Sequence, residues 1–249
     1  DLAIQVAVTR GRATVTVLDR VGDFGAEQPV EDWIPGQAAP QAAVVLLGLP
    51  EGAGPRTLSV LNPGADEARV GIKVISPEST FTPSGWEEVQ VAPGAVVQVG
   101  LEQLLAPEIR KGATGLLITA SRPVVAGLAS LVDGDLALAG DGGPITSSAA
   151  ALLPDGEARL LLAGATRTGV VTVVSRDADG TQLDSRRLEL ARGRSQQLDL
   201  PRGTAWVQVE PSRTPVVGSV LVRGRGATVV PLVEVERYGY IPGVRPALP

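Results

Sequence analysis

The sequence predicts an all-β protein. It reads as two tandem antiparallel β-sandwich units of the immunoglobulin-like kind, built from an internal repeat and preceded by an N-terminal β-hairpin from a partial third copy. Three observations predict this. First, the apolar residues are mainly Val, Ala and Leu, only seven of 249 residues are aromatic, and 30 Gly and 20 Pro punctuate the chain. That composition suits short strands joined by tight turns and disfavours long helices. Second, apolar and polar residues alternate in short runs, with turn signals about every 8–12 residues. Third, Ser121-Arg122-Pro123-Val124-Val125-Ala126-Gly127 returns as Ser212-Arg213-Thr214-Pro215-Val216-Val217-Gly218 with one residue inserted.

In order, Leu2, Ile4, Val6 and Val8 alternate with smaller or polar residues, Arg10-Gly11-Arg12 turns, and Val15 and Val17 alternate with Thr14 and Thr16. This predicts a hairpin over residues 2–18. A Pro-rich connection over 21–41 holds Phe24, Trp33, Pro29, Pro35 and Pro40. A short apolar strand follows at 43–47 and ends at Leu49-Pro50-Glu51-Gly52. Strands are then expected at 57–61, 114–119 and 124–132, with Asp133-Gly134 as a hairpin turn. Residues 102–113 are richer in Leu, Glu and Lys and suit a short helical turn.

The repeat sets the domain plan. Leu49-Pro50-Glu51-Gly52 matches Leu153-Pro154-Asp155-Gly156, strand 57–61 aligns with 160–164, and the offset then becomes constant. Val89 aligns with Leu188, Val91 with Leu190, Gly94 with Gly193, Val99 with Leu198 and Leu101 with Leu200. Residues 201–203 are a shorter counterpart of 102–113, and strands at 204–209 and 216–222 close the second copy. Trp33-Ile34-Pro35-Gly36 echoes Tyr240-Ile241-Pro242-Gly243, so the first fifty residues resemble the tail of a preceding copy. The plan is a partial repeat at 1–50, a first sandwich at 51–150 and a second at 151–249. A β-propeller is the alternative architecture, although its blades are shorter than these units. The aligned Val89, Val91, Val99, Leu188, Leu190 and Leu198 are expected in the cores, as is Trp206 on its alternating strand.

Residue types narrow the chemistry. No Cys means no disulfide and no thiolate ligand; no His removes the commonest general base and metal ligand. Ser147-Ser148 therefore reads as linker, and no enzymatic activity is expected. An envelope-glycan hydrolase working with carboxylates alone is the remote alternative. Glu87-Glu88 cannot be its pair, because neighbours on a strand point to opposite faces. Asp177-Ala178-Asp179-Gly180, and Asp133-Gly134-Asp135 with Asp141, lack the distal ligands of a calcium loop, so neither a metal nor another cofactor is expected.

Binding residues remain. Trp33 and Trp86 each stand in a Pro- or Gly-flanked polar loop, where an indole either packs over the end of a sandwich or offers a flat face to a sugar ring or partner. Tyr238 and Tyr240 share that ambiguity. The chain has net charge −5, but residues 1–150 carry 9 basic and 17 acidic side chains and residues 151–249 carry 13 and 10. Arg186, Arg187, Arg192 and Arg194, with Arg202, span one hairpin of the basic half and form either a solvated face or a seat for an anionic partner. Nucleic acid is not expected, since the chain is acidic and no aromatics interleave with the arginines. The longest apolar run, 42–49, is too short to cross a bilayer. There is no Met, so a signal or anchor segment is expected upstream of Asp1.

Taken together, Trp33-Ile34-Pro35, Leu58-Ser59-Val60-Leu61-Asn62-Pro63-Gly64 and Ser121-Arg122-Pro123-Val124-Val125-Ala126 resemble an uncharacterised family of envelope-associated proteins of high-GC Gram-positive bacteria. The resemblance implies an N-terminal membrane anchor followed by an extracytoplasmic region, found near cell-wall glycosyltransferases. It implies no activity and carries over no functional residue. The resulting expectation is a non-enzymatic interaction or scaffold module at the cell envelope. Its partner is an envelope protein or, in the alternative, cell-wall glycan bound by the loop aromatics.

Overall fold

A computed structural model describes residues 3–4, 6–10, 15–22 and 30–234. Alternation of small apolar residues builds the strands, and every pairing among them is antiparallel. β1 (Val17–Val21) and β2 (Val30–Ile34) form a two-stranded ribbon. Then come β3 (Gln41–Leu47), β4 (Arg56–Leu61), β5 (Ala68–Ile75), β6 (Thr80–Phe81), β7 (Val89–Val91), β8 (Val96–Gly100), helix α1 (Glu102–Arg110), β9 (Gly115–Val132) and β10 (Asp135–Gly140). The remainder is β11 (Ala149–Leu152), β12 (Glu157–Ala163), β13 (Gly169–Arg176), β14 (Gln182–Leu190), β15 (Gln196–Asp199), β16 (Trp206–Ser212), β17 (Val217–Arg223), β18 (Ala227–Pro231) and β19 (Val233–Glu234).

The strand orders of the two halves match. In the first, β7–β5–β9–β3 forms one leaf and β8–β4–β9–β10 the other. In the second, β14–β13–β16–β11 and β15–β12–β17–β18 take the same places, with β19 added beside β11. Strand β3 belongs to the first sandwich, although the repeat alone put its boundary after residue 50. The pairings also shift one alignment. Leu58 faces Leu128 and Val99, as Leu160 faces Val220 and Leu198, so 58 corresponds to 160 and the match of 57–61 to 160–164 is one residue out. A slip of one exchanges the faces of a strand, and the burial of Leu58, Val60, Leu160 and Leu162 settles the register.

The stretch at 121–123 behaves differently in its two copies. In the first half it is no turn: β9 runs unbroken through it, in place of two strands. Gln41 pairs with Val124 while Ala43 pairs with Thr119, so the intervening residues form a bulge. There the strand leaves one leaf for the other. In the second half the inserted residue breaks the strand, and Arg213 takes a positive φ of 76°. That conformation is uncommon for a residue with a Cβ. The Asp133-Gly134 turn does form, with φ of 52° and 80°, as a two-residue hairpin needs.

Each sandwich has its own core, and the cores meet. Val91 and Leu190 are fully buried, whereas Val89, Val99, Leu188 and Leu198 are partly buried around them. Trp206 is half-buried outside the second core, with the Arg176 guanidinium 5.4 Å from its ring centroid. On β12, Leu160 and Leu162 face the second core, while Leu161 and Ala163 join the first. On β17, Val220 and Val222 face the second core and Val217 and Leu221 the first. One sheet thus has apolar contacts on both faces. Gly48 lies in this seam at φ 104°, where a Cβ would meet the Val229 side chain at 2.7 Å.

The predicted hairpin over 2–18 is corrected. The described residues 3–4, 6–10, 15 and 16 are not in strands, and Ile4, Val6, Val8 and Val15 are exposed. Residues 11–14, the expected turn, lie outside the described residues. The strand pair at the N-terminus is instead β1–β2. Its own alternation is masked by charge: Asp19, Arg20, Glu31 and Asp32 interrupt the apolar pattern.

Candidate functional site

Candidate residues lie at two places, Trp33 at the first and Arg192 with Arg194 at the second. The first is the ribbon. Register pairs Leu18 with Trp33 and Arg20 with Glu31, so these four share one face. Trp33 is 59 % exposed, and Leu18 and Ile34 beside it are also open. Arg20 Nη2 lies 2.7 Å from Glu31 Oε2 and Nε donates to the same oxygen at 3.0 Å. Trp33 therefore stands on a strand of the ribbon and not in a loop.

The inward face holds Asp32, which fixes the ribbon to the body. Its Oδ2 accepts the Leu138 N–H of β10 at 2.9 Å, and its Oδ1 accepts the Trp33 N–H at 2.8 Å and the Thr228 hydroxyl of β18 at 3.3 Å. β10 and β18 are outer strands of the two sandwiches. One carboxylate thus bridges both, and it occupies a backbone N–H that an open edge would offer to another chain. Desolvation raises the Asp32 pKa above the usual carboxylate value, and the bonds from Leu138, Trp33 and Thr228 oppose that rise without cancelling it.

The second place is a cleft of about 600 Å³ between the sandwiches. Val45, Ile75, Leu117, Val216 and Val217 supply apolar lining; Lys73, Arg192 and Arg194 are its cations. The β14–β15 turn carrying both arginines is held on the first sandwich: Thr80 Oγ1 donates to Gly193 O at 2.8 Å and Ser195 N to Ser76 O at 3.0 Å. Ser195 Oγ also meets Thr114 Oγ1 at 2.9 Å in a buried contact. Asp141, buried at one side, accepts the Gly143 N–H at 2.8 Å and the Gln41 amide at 3.3 Å. Burial raises the Asp141 pKa, against the backbone hydrogen bonds it accepts.

The other candidates separate. The Trp86 indole packs against the first core, and its buried Nε1 has no hydrogen-bond partner among the described residues, so it plugs the sandwich and is not an open platform. Arg186 is paired with Asp184 at 2.8 Å. Arg187 is exposed on the same edge strand, and as its neighbour it points to the opposite face. Both lie on β14, outside the cleft lining that Arg192 and Arg194 share. Tyr238 and Tyr240 lie outside the described residues.

The acidic motifs serve structure. Asp177 Oδ1 accepts the amides of Asp179 and Thr181 within its own turn, and Asp135 Oδ2 on β10 accepts the Ala227 N–H of β18 at 2.5 Å, joining the two sandwiches. Among the described residues no group of three or more acidic side chains is arranged to hold a metal ion.

Sequence reasoning missed Asp32, Lys73 and the buried Arg56. The Arg56 guanidinium donates to the carbonyls of Pro50, Gly52 and Gly54 and ties down that loop. Lys73 carried a weak signal as one of only two lysines. Asp32 carried none, because its role depends on which strand edges lie beneath it.

Fold and sites together define an all-β protein of two antiparallel sandwiches with a two-stranded ribbon bonded to both. The chain belongs to the family of unknown function DUF5719, whose profile matches residues 1–201. No curated protein matches the sequence. Among solved structures it is similar to the PBSX exported protein XepA at 15 % identity, over 82 % of this chain and 85 % of that one, with a TM-score of 0.28. No described helix is long and apolar enough to cross a membrane.

Proposed function

We propose that this protein is a non-enzymatic interaction module that works outside the cytoplasm at the bacterial cell envelope, with the outer face of the β1–β2 ribbon as its contact surface. The observation that carries the reading is Trp33, an indole standing open beside Leu18 on a ribbon whose other face is bonded to both sandwiches. Exposed Trp on a fixed support is the residue type that dominates recognition surfaces, because it offers large apolar area at little entropic cost. The envelope setting rests on the sequence resemblance. The non-enzymatic reading is supported by the absence of His and Cys and by the structural use of the acidic motifs.

A second reading gives the same face to a glycan. Trp33 shares it with the Arg20–Glu31 pair, so a flat ring lies beside polar groups able to bond sugar hydroxyls. A cell-wall glycan array probed with the protein and with Trp33→Ala distinguishes the two. Saturable glycan binding lost in the variant favours a sugar. A silent array alongside Trp33-dependent binding to isolated envelopes favours a protein partner. Envelope binding that ignores Trp33 defeats both.

A further inference from the structure

We propose that the cleft between the sandwiches binds a small amphiphile with a single anionic head, a carboxylate or a phosphate, on an apolar body. The site is distinct from the ribbon and does not depend on its function. Three observations converge on it. The lining is mostly apolar, with Val45, Ile75, Leu117, Val216 and Val217 contributed by both sandwiches. Its size falls in the range of ordinary small-molecule sites, about 300–1,000 Å³. The charged groups exposed in the lining are all cations, on a protein whose net charge is −5.

Those cations are available and positioned. Among the described residues Lys73, Arg192 and Arg194 form no ion pair, while seven other basic side chains do. Arg192 and Arg194 flank Gly193, whose carbonyl is held by Thr80, and Ser195 is bonded to Ser76 and Thr114. The turn is therefore fixed across the junction before any ligand arrives, which reduces the ordering cost of binding. The equivalent turn of the first sandwich, Ala92-Pro93-Gly94-Ala95, carries no charge. Repeat geometry requires the turn but not its arginines. The one acid of the lining, Asp141, is buried and engaged with Gly143 and Gln41. Arginine bonds carboxylate or phosphate in a two-pronged geometry, and the apolar lining takes the chain.

The test is calorimetric titration of the full chain with dodecanoate and with dodecyl phosphate, each below its critical micelle concentration. Dodecyltrimethylammonium serves as the same tail with the opposite charge, and inorganic phosphate as a head without a tail. The proposal expects saturable one-to-one binding of an anionic amphiphile and at least tenfold weaker binding of both controls. R192Q/R194Q is expected to lose tenfold or more while keeping the melting temperature, since both side chains are exposed. Ala43→Trp, an exposed position in the lining, is expected to block entry. No binding of either anionic probe, equal binding of the cationic one, or binding untouched by both variants would overturn the proposal.

Discussion

Leu161→Ala gives the sharpest test of how the two sandwiches are joined. Leu161 lies on β12 between two residues of the second core, yet its own side chain is 3 % exposed because it packs into the first. In a separate second sandwich it would face water. Truncation removes about three methyl or methylene groups, worth roughly 2.4 kcal/mol in transfer at about 0.8 kcal/mol each. The residual cavity brings the cost to about 3–4 kcal/mol. For a chain of this size each kcal/mol is worth about 2–4 °C, so the melting temperature should fall by roughly 6–16 °C. Differential scanning calorimetry also reports the number of transitions. The intact protein should unfold in one, and Leu161→Asp, which places a charge in the seam, should separate it into two. Leu152, 80 % exposed on β11, is the control and its truncation should change little. If Leu161→Ala shifts the melting temperature no more than Leu152→Ala, the seam does not couple the sandwiches.

Three further predictions follow from single side chains. Asp32→Ala leaves the Leu138 N–H without its partner and should cost about 1–3 kcal/mol, with the Leu138 amide exchanging faster by hydrogen-exchange NMR. Glu234 Oε1 accepts bonds from the hydroxyls and amides of both Thr146 and Ser147, which draw its pKa down to about 2. A depressed carboxyl stabilises the fold above its ordinary value near 4.5 and loses that contribution as pH falls toward 2. Solvent screening limits the gain from an exposed carboxylate, so Glu234→Gln should be less stable by at most about 1 kcal/mol at pH 7, and urea titrations should show the difference shrinking between pH 4.5 and 2. Trp86→Ala should destabilise by about 2–3 kcal/mol through lost core contacts, whereas Trp33→Ala should stay within about 0.5 kcal/mol of the parent.

Much of the fold was legible because β-structure writes itself as alternation. Leu58 and Val60, or Val207 and Val209, announce a buried face by spacing alone, and Asp133-Gly134 announces its turn. Short-range signals misled where tertiary context decided. Residues 121–123 look like a turn in both copies, but only the extra residue at 212–215 breaks the strand. The apolar alternation at 2–8 suggested a strand, while the charged β1–β2 pair forms the observed ladder. Charge there follows from position: Asp32 turns inward because a strand edge beneath it needs an acceptor. The candidate sites were legible only in part. Composition flagged Trp33 and the arginines, but only the fold separates an exposed Trp33 from a packed Trp86, or Arg192 and Arg194 from Arg186 and Arg187. Lys73 lies 119 positions from Arg192, and no local pattern links them to one cleft.

The most direct test of the proposed function is a co-sedimentation isotherm with isolated envelopes of a high-GC Gram-positive bacterium, comparing the intact protein with Trp33→Ala. Loss of a central Trp contact is worth about 2 kcal/mol or more. The account therefore predicts saturable binding by the intact chain and at least tenfold weaker binding by Trp33→Ala at an unchanged melting temperature, with Leu183→Ala on exposed β14 behaving as the parent. Superimposable isotherms for the intact protein and Trp33→Ala would contradict it.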